Sequence, residues 1–380
     1  MITGSLTIQR LLASMKKLDA SDLHIKVGIA PTYRIAGLLR AVDSPPITEE
    51  EADHLLDPIL TPVQKEKFEA SGNLDFSASL PDGDRFRINI FRAGAHTHAA
   101  IRRVKAEIPS YQDLNLPPIY SKMVGETTDG LVLVVGVTGS GKSSTLAAMV
   151  EQINQTRAEN IITIEDPVEY RLTPKKSIVS QREIGIDVSD YQTALRYVVR
   201  EDPDVVMIGE LRDHSTVLAA IQAAETGHLV FGSMHTADTM QAFSRMLEFF
   251  PPSDHGFIRS AIANTLRAIC AQKLLPALEG FRAKVVPATE VLLGTGLVKE
   301  KIREGSDEDL PALINGNTGS DPGEGMHSFT LSLAQLVKKE AVSRHVAMDS
   351  APNREALDSI LKGVEVKAAT LVSRLKKPGS

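Results

Sequence analysis

Apolar positions fall into three spacing regimes along this chain, and each predicts a different kind of element. Near the start, Leu6, Leu11, Leu12 and Met15 recur at helical spacing and predict an opening helix. Alternating apolar and polar residues follow in three short runs, Asp22–Val27, Thr32–Ile35 and Asp84–Ile90, each the pattern of a half-buried strand. Pro45-Pro46 and Pro81-Asp82-Gly83-Asp84 punctuate them as turns. Residues 1–110 therefore read as a small α+β unit. Pro109 and Pro117-Pro118 then mark a linker, which we place at 111–129.

From 130 to 295 the pattern becomes uninterrupted apolar runs of four to six residues alternating with helical periodicity. Leu131–Val135, Ile161–Ile164, Val205–Ile208 and Leu229–Phe231 are the runs. Between them lie Leu146, Met149, Val150 and Ile153; then Tyr191, Ala194, Leu195 and Val198; then Val217, Ile221 and Ala224. Strands apolar on both faces, separated by helices, predict a parallel sheet covered on both sides. A long helix over 254–274 and a strand at 284–293 are expected to close this α/β domain. Residues 296–380 read as a helical region with helices near 328–340 and 353–374. The Gly- and acid-rich stretch 304–325 reads as a flexible loop.

Composition narrows the function. The 380 residues are 42% hydrophobic and 24% charged, enough for a real core. Aromatics are 4% with no Trp, and the net charge is -6, so neither a base-stacking platform nor a general attraction to nucleic acid is expected. The single cysteine, Cys270, excludes a disulfide scaffold and a multi-thiolate zinc site, and reads as a buried helical residue. The first residues lack a secretory signal pattern, and the run at 131–135 is too short to span a bilayer. The expectation is a cytoplasmic chain without direct membrane insertion.

The sharpest chemical signal is Gly136-Val137-Thr138-Gly139-Ser140-Gly141-Lys142-Ser143, followed by Ser144, between an apolar strand and an amphipathic helix. Glycines let the backbone turn tightly, so that successive N–H groups cradle phosphate oxygens. Lys142 is expected to reach the β- and γ-phosphates, and the Ser143 hydroxyl to ligate Mg²⁺. ATP and Mg²⁺ are thus the expected ligands. Glu210 follows a buried strand after Gly209, where a metal-side acid is needed; the alternative is a solvated carboxylate at a helix start. Ile164-Glu165-Asp166-Pro167-Val168-Glu169-Tyr170 puts three acids at the end of another strand. There Glu169 or Glu165 could orient or deprotonate the attacking water, or the acids could merely cap a helix. His228 and His235 bracket a further strand, and a histidine there could distinguish ATP from ADP. Between Arg85 and Lys105 lie Arg85, Arg87, Arg92, Arg102, Arg103 and Lys105 with no acid among them. This is either an anion site or a solvated basic face.

Four motifs in fixed order, GVTGSGKS (136–143), IEDPVEY (164–170), REDPDVVMIGELRD (200–213) and ETGHLVFGSMHT (225–236), resemble the secretion-type ATPases. Together with SDLH (21–24) and RFRIN (85–89), they are most similar to the PilT-like retraction ATPases of type IV pili, over residues 5–295. The resemblance implies a PAS-like N-terminal domain before a RecA-like ATPase core. It implies Glu169 as catalytic base and Glu210 as organiser of the Mg²⁺ and its water; Ser143 and Asp166 are the other candidate metal donors. It makes His228 and His235 nucleotide-state sensors, and Arg87 and Arg102 arginines that reach a neighbouring subunit's nucleotide. It implies a hexamer working on a pilus platform protein at the inner membrane.

Two departures stand out. Val137 replaces the usual proline of the loop, and residues 296–304 keep only a trace of the family's C-terminal retraction motif. An accessory motor of the PilU kind fits as well. A pilus-assembly or type II secretion ATPase usually carries a four-cysteine zinc module and a longer N-terminal region, both missing here. Outside the family, a RecA-like nucleic-acid motor or a non-hydrolysing nucleotide-gated adaptor would share the phosphate loop.

Overall fold

The computed structural model describes residues 6–35, 37–79, 84–104, 107–316 and 325–363. Contacts divide it into two compact units, one running to Glu107 and including Glu169–Arg171, the other holding Ile108–Val168 and the chain from Leu172 onward.

In the first unit, helix α1 (Ile8–Lys17) starts at Thr7, whose hydroxyl caps it, and buries Ile8, Leu11, Leu12 and Met15. Six strands form one antiparallel sheet: β1 (Ala20–Ile25), β2 (Thr32–Ile35), β3 (Leu38–Ala41), β4 (Asn73–Ser79), β5 (Arg85–Ala93) and β6 (His96–Val104), in the order β3-β2-β1-β6-β5-β4. Helices α2 (Glu49–Leu56) and α3 (Pro62–Ser71) begin at Thr48 and Thr61, each with a reciprocal capping box. The turn read at 81–83 lies outside the described residues, as does Lys105.

In the second unit, helix α4 (Ile119–Glu126) lies inside the stretch read as a linker and buries Ile119, Tyr120, Met123 and Val124. The stretch thus carries a packed helix that starts at Pro118. Then come β7 (Gly130–Val135), α5 (Lys142–Thr156), β8 (Asn160–Glu165), β9 (Ile178–Glu183), α6 (Tyr191–Val198), β10 (Val205–Ile208), α7 (His214–Glu225), β11 (Leu229–Met234), α8 (Thr239–Glu248), α9 (His255–Thr265), β12 (Leu266–Pro276) and β13 (Val285–Leu293). The sheet order is β13-β12-β7-β11-β10-β8-β9. Every neighbouring pair is parallel except β12 with β13. On β7, Leu131, Leu133 and Val135 join the core beneath α6–α9, while Val132 and Val134 join the core beneath α4 and α5. One strand thus serves both faces, which is why it reads as a continuous apolar run.

The expected helix at 254–274 stops at Thr265, and the chain continues as strand β12. Cys270 is therefore a buried strand residue, not a helical one. The acid-rich stretch also differs from expectation. Residues 307–316 are ordered as a single 3₁₀ turn (Asp307–Asp309) and helix α11 (Leu310–Gly316), anchored by buried Leu310 and Ile314 and by paired 2.6 Å bonds from Arg259 to Asp307. Residues 317–324 lie outside the described set. Helix α10 (Gly296–Glu304) precedes this segment. Helices α12 (Phe329–Lys338), α13 (Arg344–Ser350) and α14 (Arg354–Leu361) follow it. The portion of the expected last helix beyond 363 is not among the described residues. No helix among the described residues is long and apolar enough to cross a membrane.

Candidate functional site

Because β7, β8, β10 and β11 run in the same direction, the loops that follow them open at one edge of the sheet, the carboxyl edge where open α/β folds bind ligands. The phosphate-loop motif, the acidic box, Glu210 and His235 all fall on such loops.

The loop after β7 turns into α5. At Gly136 an added Cβ would lie 2.4 Å from Ser140 Oγ and 2.5 Å from Gln272 O. Gly139 and Gly141 have φ of +79° and +90°. The cap of α5 differs from those of its neighbours. Helices α6, α7 and α8 begin at Asp190, Asp213 and Asp238, whose carboxylates accept from their own first-turn N–H groups. Helix α5 begins at Gly141, which has no side chain to do so. The positive end of its dipole favours an anion there. Ser143 and Ser144 sit in that first turn, half-buried. The loop meets the requirements of a phosphate cradle by backbone geometry as well as by motif.

Lys142 is buried, and its Nζ donates to Gly136 O at 2.9 Å and Val137 O at 3.3 Å. The same Nζ lies 3.5 Å from His235 Nδ1, and Thr138 Oγ1 lies 3.4 Å from that nitrogen. On the other side of the ring, His235 Nε2 is 3.5 Å from Glu210 Oε1. An ammonium only donates, so Nδ1 is the accepting nitrogen and the ring proton belongs on Nε2, toward the carboxylate. Arg212, which sequence reasoning left without a role, donates from Nε to Glu210 Oε2 at 2.8 Å. Its Nη2 lies 3.7 Å from Asp166 Oδ2, and its guanidinium is stacked 5.9 Å from the centre of the Tyr191 ring. One continuous polar series therefore runs from Lys142 through His235, Glu210 and Arg212 to Asp166.

The glycine before Glu210 has a steric reason. A Cβ on Gly209 would lie 2.9 Å from the Tyr191 hydroxyl, 3.2 Å from Ile164 O and 3.3 Å from Glu165 Cα. Gly209 N–H donates to Ile164 O at 2.8 Å, and Ser233 Oγ donates to Gly209 O at 2.5 Å. The strand end is thereby fixed between β8 and β11, and Glu210 is aimed at His235.

The other predicted residues are placed differently. Glu165 is buried, and its Oε1 accepts from the Thr163 hydroxyl at 2.6 Å and from Gln181 Nε2 at 3.1 Å. Glu169 is exposed and is grouped with the first unit. His228 precedes β11, at the amino edge, where its Nδ1 sits 2.9 Å from Ala223 O and 3.0 Å from Thr226 Oγ1. The strand between His228 and His235 spans about 20 Å at ~3.3 Å per residue. Of the two histidines, His235 is the one beside the phosphate loop of its own chain.

The basic stretch is not acid-free in space. Arg102 Nε donates to Asp22 Oδ1 at 2.9 Å, and Arg103 Nε donates to buried Asp84 at 2.8 Å. Arg87 stands opposite Arg102 in the β5–β6 register, half-buried. A second missed residue is Gln272 on β12, buried beside the loop. Its Nε2 donates to Ser140 O at 2.7 Å, and its Oε1 accepts from Thr145 Oγ1 at 2.9 Å.

Hydroxyl and carboxylate oxygens are the donor set of a hard cation. Among the described residues no group of three or more His, Cys, Asp or Glu is arranged to hold a metal. Oxygen donors of this kind suit Mg²⁺, which takes one or two protein carboxylates and completes its shell with water and phosphate oxygens.

A family model described as Type II/IV secretion system protein matches residues 5–304. PilT of Pseudomonas aeruginosa, a type IV pilus ATPase named for retraction, is 37% identical over 90% of this chain and 98% of its own length. PilU, a type IV pilus ATPase of the same organism, is 34% identical over 93% of this chain and 91% of its own. The crystal structure of the pilus retraction motor PilT with bound ADP superposes with a TM-score of 0.84 at 37% identity, covering 93% of this chain and 99% of the other.

Proposed function

Because this chain belongs to the Type II/IV secretion system family of P-loop ATPases, we propose that it is a motor that hydrolyses ATP to retract a type IV pilus. The observation that carries the chemistry is the series Lys142–His235–Glu210 at the mouth of an α5 N-terminus left uncapped by any side chain. The relatives named for pilus retraction carry the biological assignment.

In this reading the N–H groups from Val137 to Ser144 and the Lys142 ammonium bind the phosphates. Ser143, Glu210 and Asp166 would hold Mg²⁺, which would supply positive charge to neutralise the developing phosphoryl charge. Glu169 orients or deprotonates the attacking water. Glu165, held by Thr163 and Gln181, supports the strand end from which the acidic box departs. His235 reports the state of the phosphate end, since a γ-phosphate that draws Lys142 away removes the ammonium from Nδ1.

We also read the N-terminal unit as PAS-like and the assembly as a hexamer, in which Arg87 and Arg102 serve a neighbour's nucleotide. The ring would act on a platform protein at the inner membrane from the cytoplasmic side. A PilU-like accessory motor is the second reading. Helix α10 at Gly296–Glu304 favours it, because the sequence there keeps only a trace of the retraction motif.

The test is ATP turnover by the full chain beside its Lys142→Ala variant. Loss of turnover with retained folding is expected, and wild-type turnover in the variant would remove the assignment.

A further inference from the structure

Strand β13 carries one charged residue, Glu290, in an otherwise uncharged run. The residue is half-buried, and a charge in that position needs hydrogen-bonding partners. It finds them at the starts of two helices. Oε1 accepts from the Thr239 N–H at 3.1 Å and from the Thr239 hydroxyl at 2.8 Å, at the first residue of α8. Oε2 accepts from the Phe329 N–H at 3.4 Å, at the first residue of α12. One carboxylate thus joins two positive helix ends.

Helix α8 starts four residues after His235. Asp238 also caps it, accepting from the Gln241 N–H at 2.7 Å, but that bond lies within the segment and moves with it. Glu290 ties the same helix start to the sheet. Its own place on β13 is fixed by the start of α12: Thr289 N–H donates to Ser332 Oγ at 2.9 Å, and Val291 N–H donates to His327 O at 2.8 Å. Phe329 is buried, with Lys273 Nζ 4.4 Å from the centre of its ring. A cavity of about 420 Å³ adjoins this joint, with Asp238, Gln241, Glu290 and Phe329 among its lining residues. Side chains do not fill that space, so on this side bonds rather than packing set the distance between α8 and β13.

We propose that Glu290 is a positioning residue for His235: its carboxylate fixes the start of α8, and with it the loop that carries His235, at a distance set by β13 and α12. The proposal rests on the reading of His235 as the reporter of the phosphate end. A change in how α12 sits on β13 then reaches His235 through one side chain. By linkage, a nucleotide that moves His235 changes the hold on α12 to the same extent.

A double-mutant cycle separates this role from a merely structural one. Calorimetric titration of the full chain with ADP and with the β,γ-imido analogue of ATP, in Mg²⁺ buffer, gives the ratio of the two affinities. Glu290→Gln keeps the shape of the side chain and removes the charge. It is expected to move the ratio at least about threefold, in the same direction as His235→Ala. Added to His235→Ala, it is expected to move the ratio by less than about 1.5-fold, because the residue it acts through is gone. Thr239→Val, which removes the hydroxyl donor, is the second variant and should behave alike. A structural carboxylate would lower the melting temperature and leave the ratio alone. An unchanged ratio in both folded variants overturns the proposal, as does an equal change with and without His235. Absence of ATP turnover in a wild type that binds both nucleotides fails the ATPase reading alone, since the ratio needs no turnover.

Discussion

His235 Nε2 and Glu210 Oε1 lie 3.5 Å apart, and the opposite ring nitrogen of His235 is the same distance from Lys142 Nζ. The His235 ring thus links the cation that would hold phosphate to the carboxylate that would face Mg²⁺. His235→Ala should lower kcat for ATP by at least about 10-fold while leaving the chain folded, as loss of a group acting at the reacting end does. His228→Ala should change kcat by less than about threefold, because His228 sits at the other edge of the sheet. Steady-state ATPase assays on the two variants decide this; equal losses would contradict it.

Glu169→Gln keeps the shape of the side chain and removes its basicity. It should bind ATP normally and hydrolyse it at least about 100-fold more slowly in single turnover, the range expected for a lost general base. Equal single-turnover rates would show that the water is activated elsewhere.

Gly209 is enclosed by the Tyr191 hydroxyl, Ile164 O and Glu165 Cα. Gly209→Ala must push the end of β10 away from β8 and carry Glu210 with it. The expected result is a destabilisation of about 1–3 kcal/mol, in the range of overpacking, with a kcat loss larger than that stability change explains at assay temperature. Chemical denaturation beside kcat measures both. A fully stable, fully active variant would mean that Glu210 does not need this backbone position.

His327 is buried between β13 and α12, with Nε2 2.8 Å from Thr289 Oγ1 and Nδ1 2.9 Å from Gly325 O. Burial lowers its pKa below the ordinary 6.5, and the Gly325 carbonyl offsets this only in part. The unfolded chain therefore takes up this proton first as pH falls. Its contribution to stability is fully present above about pH 6.5 and declines below it, by at most ~1.4 kcal/mol per pH unit for one proton. His327→Gln should flatten the fall in melting temperature between pH 7.5 and 5.5. An unchanged pH slope would place the titration elsewhere.

Much of this was legible in the sequence because parallel strands read as continuous apolar runs. The phosphate loop, the acidic box, Gly209-Glu210 and His235 each follow such a run, so their convergence at one edge follows from strand direction. The same logic separates His228, which precedes its strand. What misled was β12: Leu266–Leu275 is buried on nearly every side, so it lacks alternation, and its Ala, Leu and Gln residues favour helix. Gln272, which lies on it, is missed with it. Arg212 was hidden for another reason. Its partners Asp166 and Tyr191 are distant in the chain and meet it only through the β8–β10 pairing. Helix α11 reads as loop because its short apolar run, Leu310–Ile314, is set within a Gly- and acid-rich stretch; buried Leu310 and Ile314 and the Arg259–Asp307 pair anchor it.

In the proposed motor, ATP bound at Lys142 drives pilus retraction. The most direct measurement replaces the native gene with its Lys142→Ala form and scores surface pili and twitching in the same cells. The account predicts excess surface pili with twitching lost. Cells without surface pili would contradict it, and would mark the chain as an assembly motor.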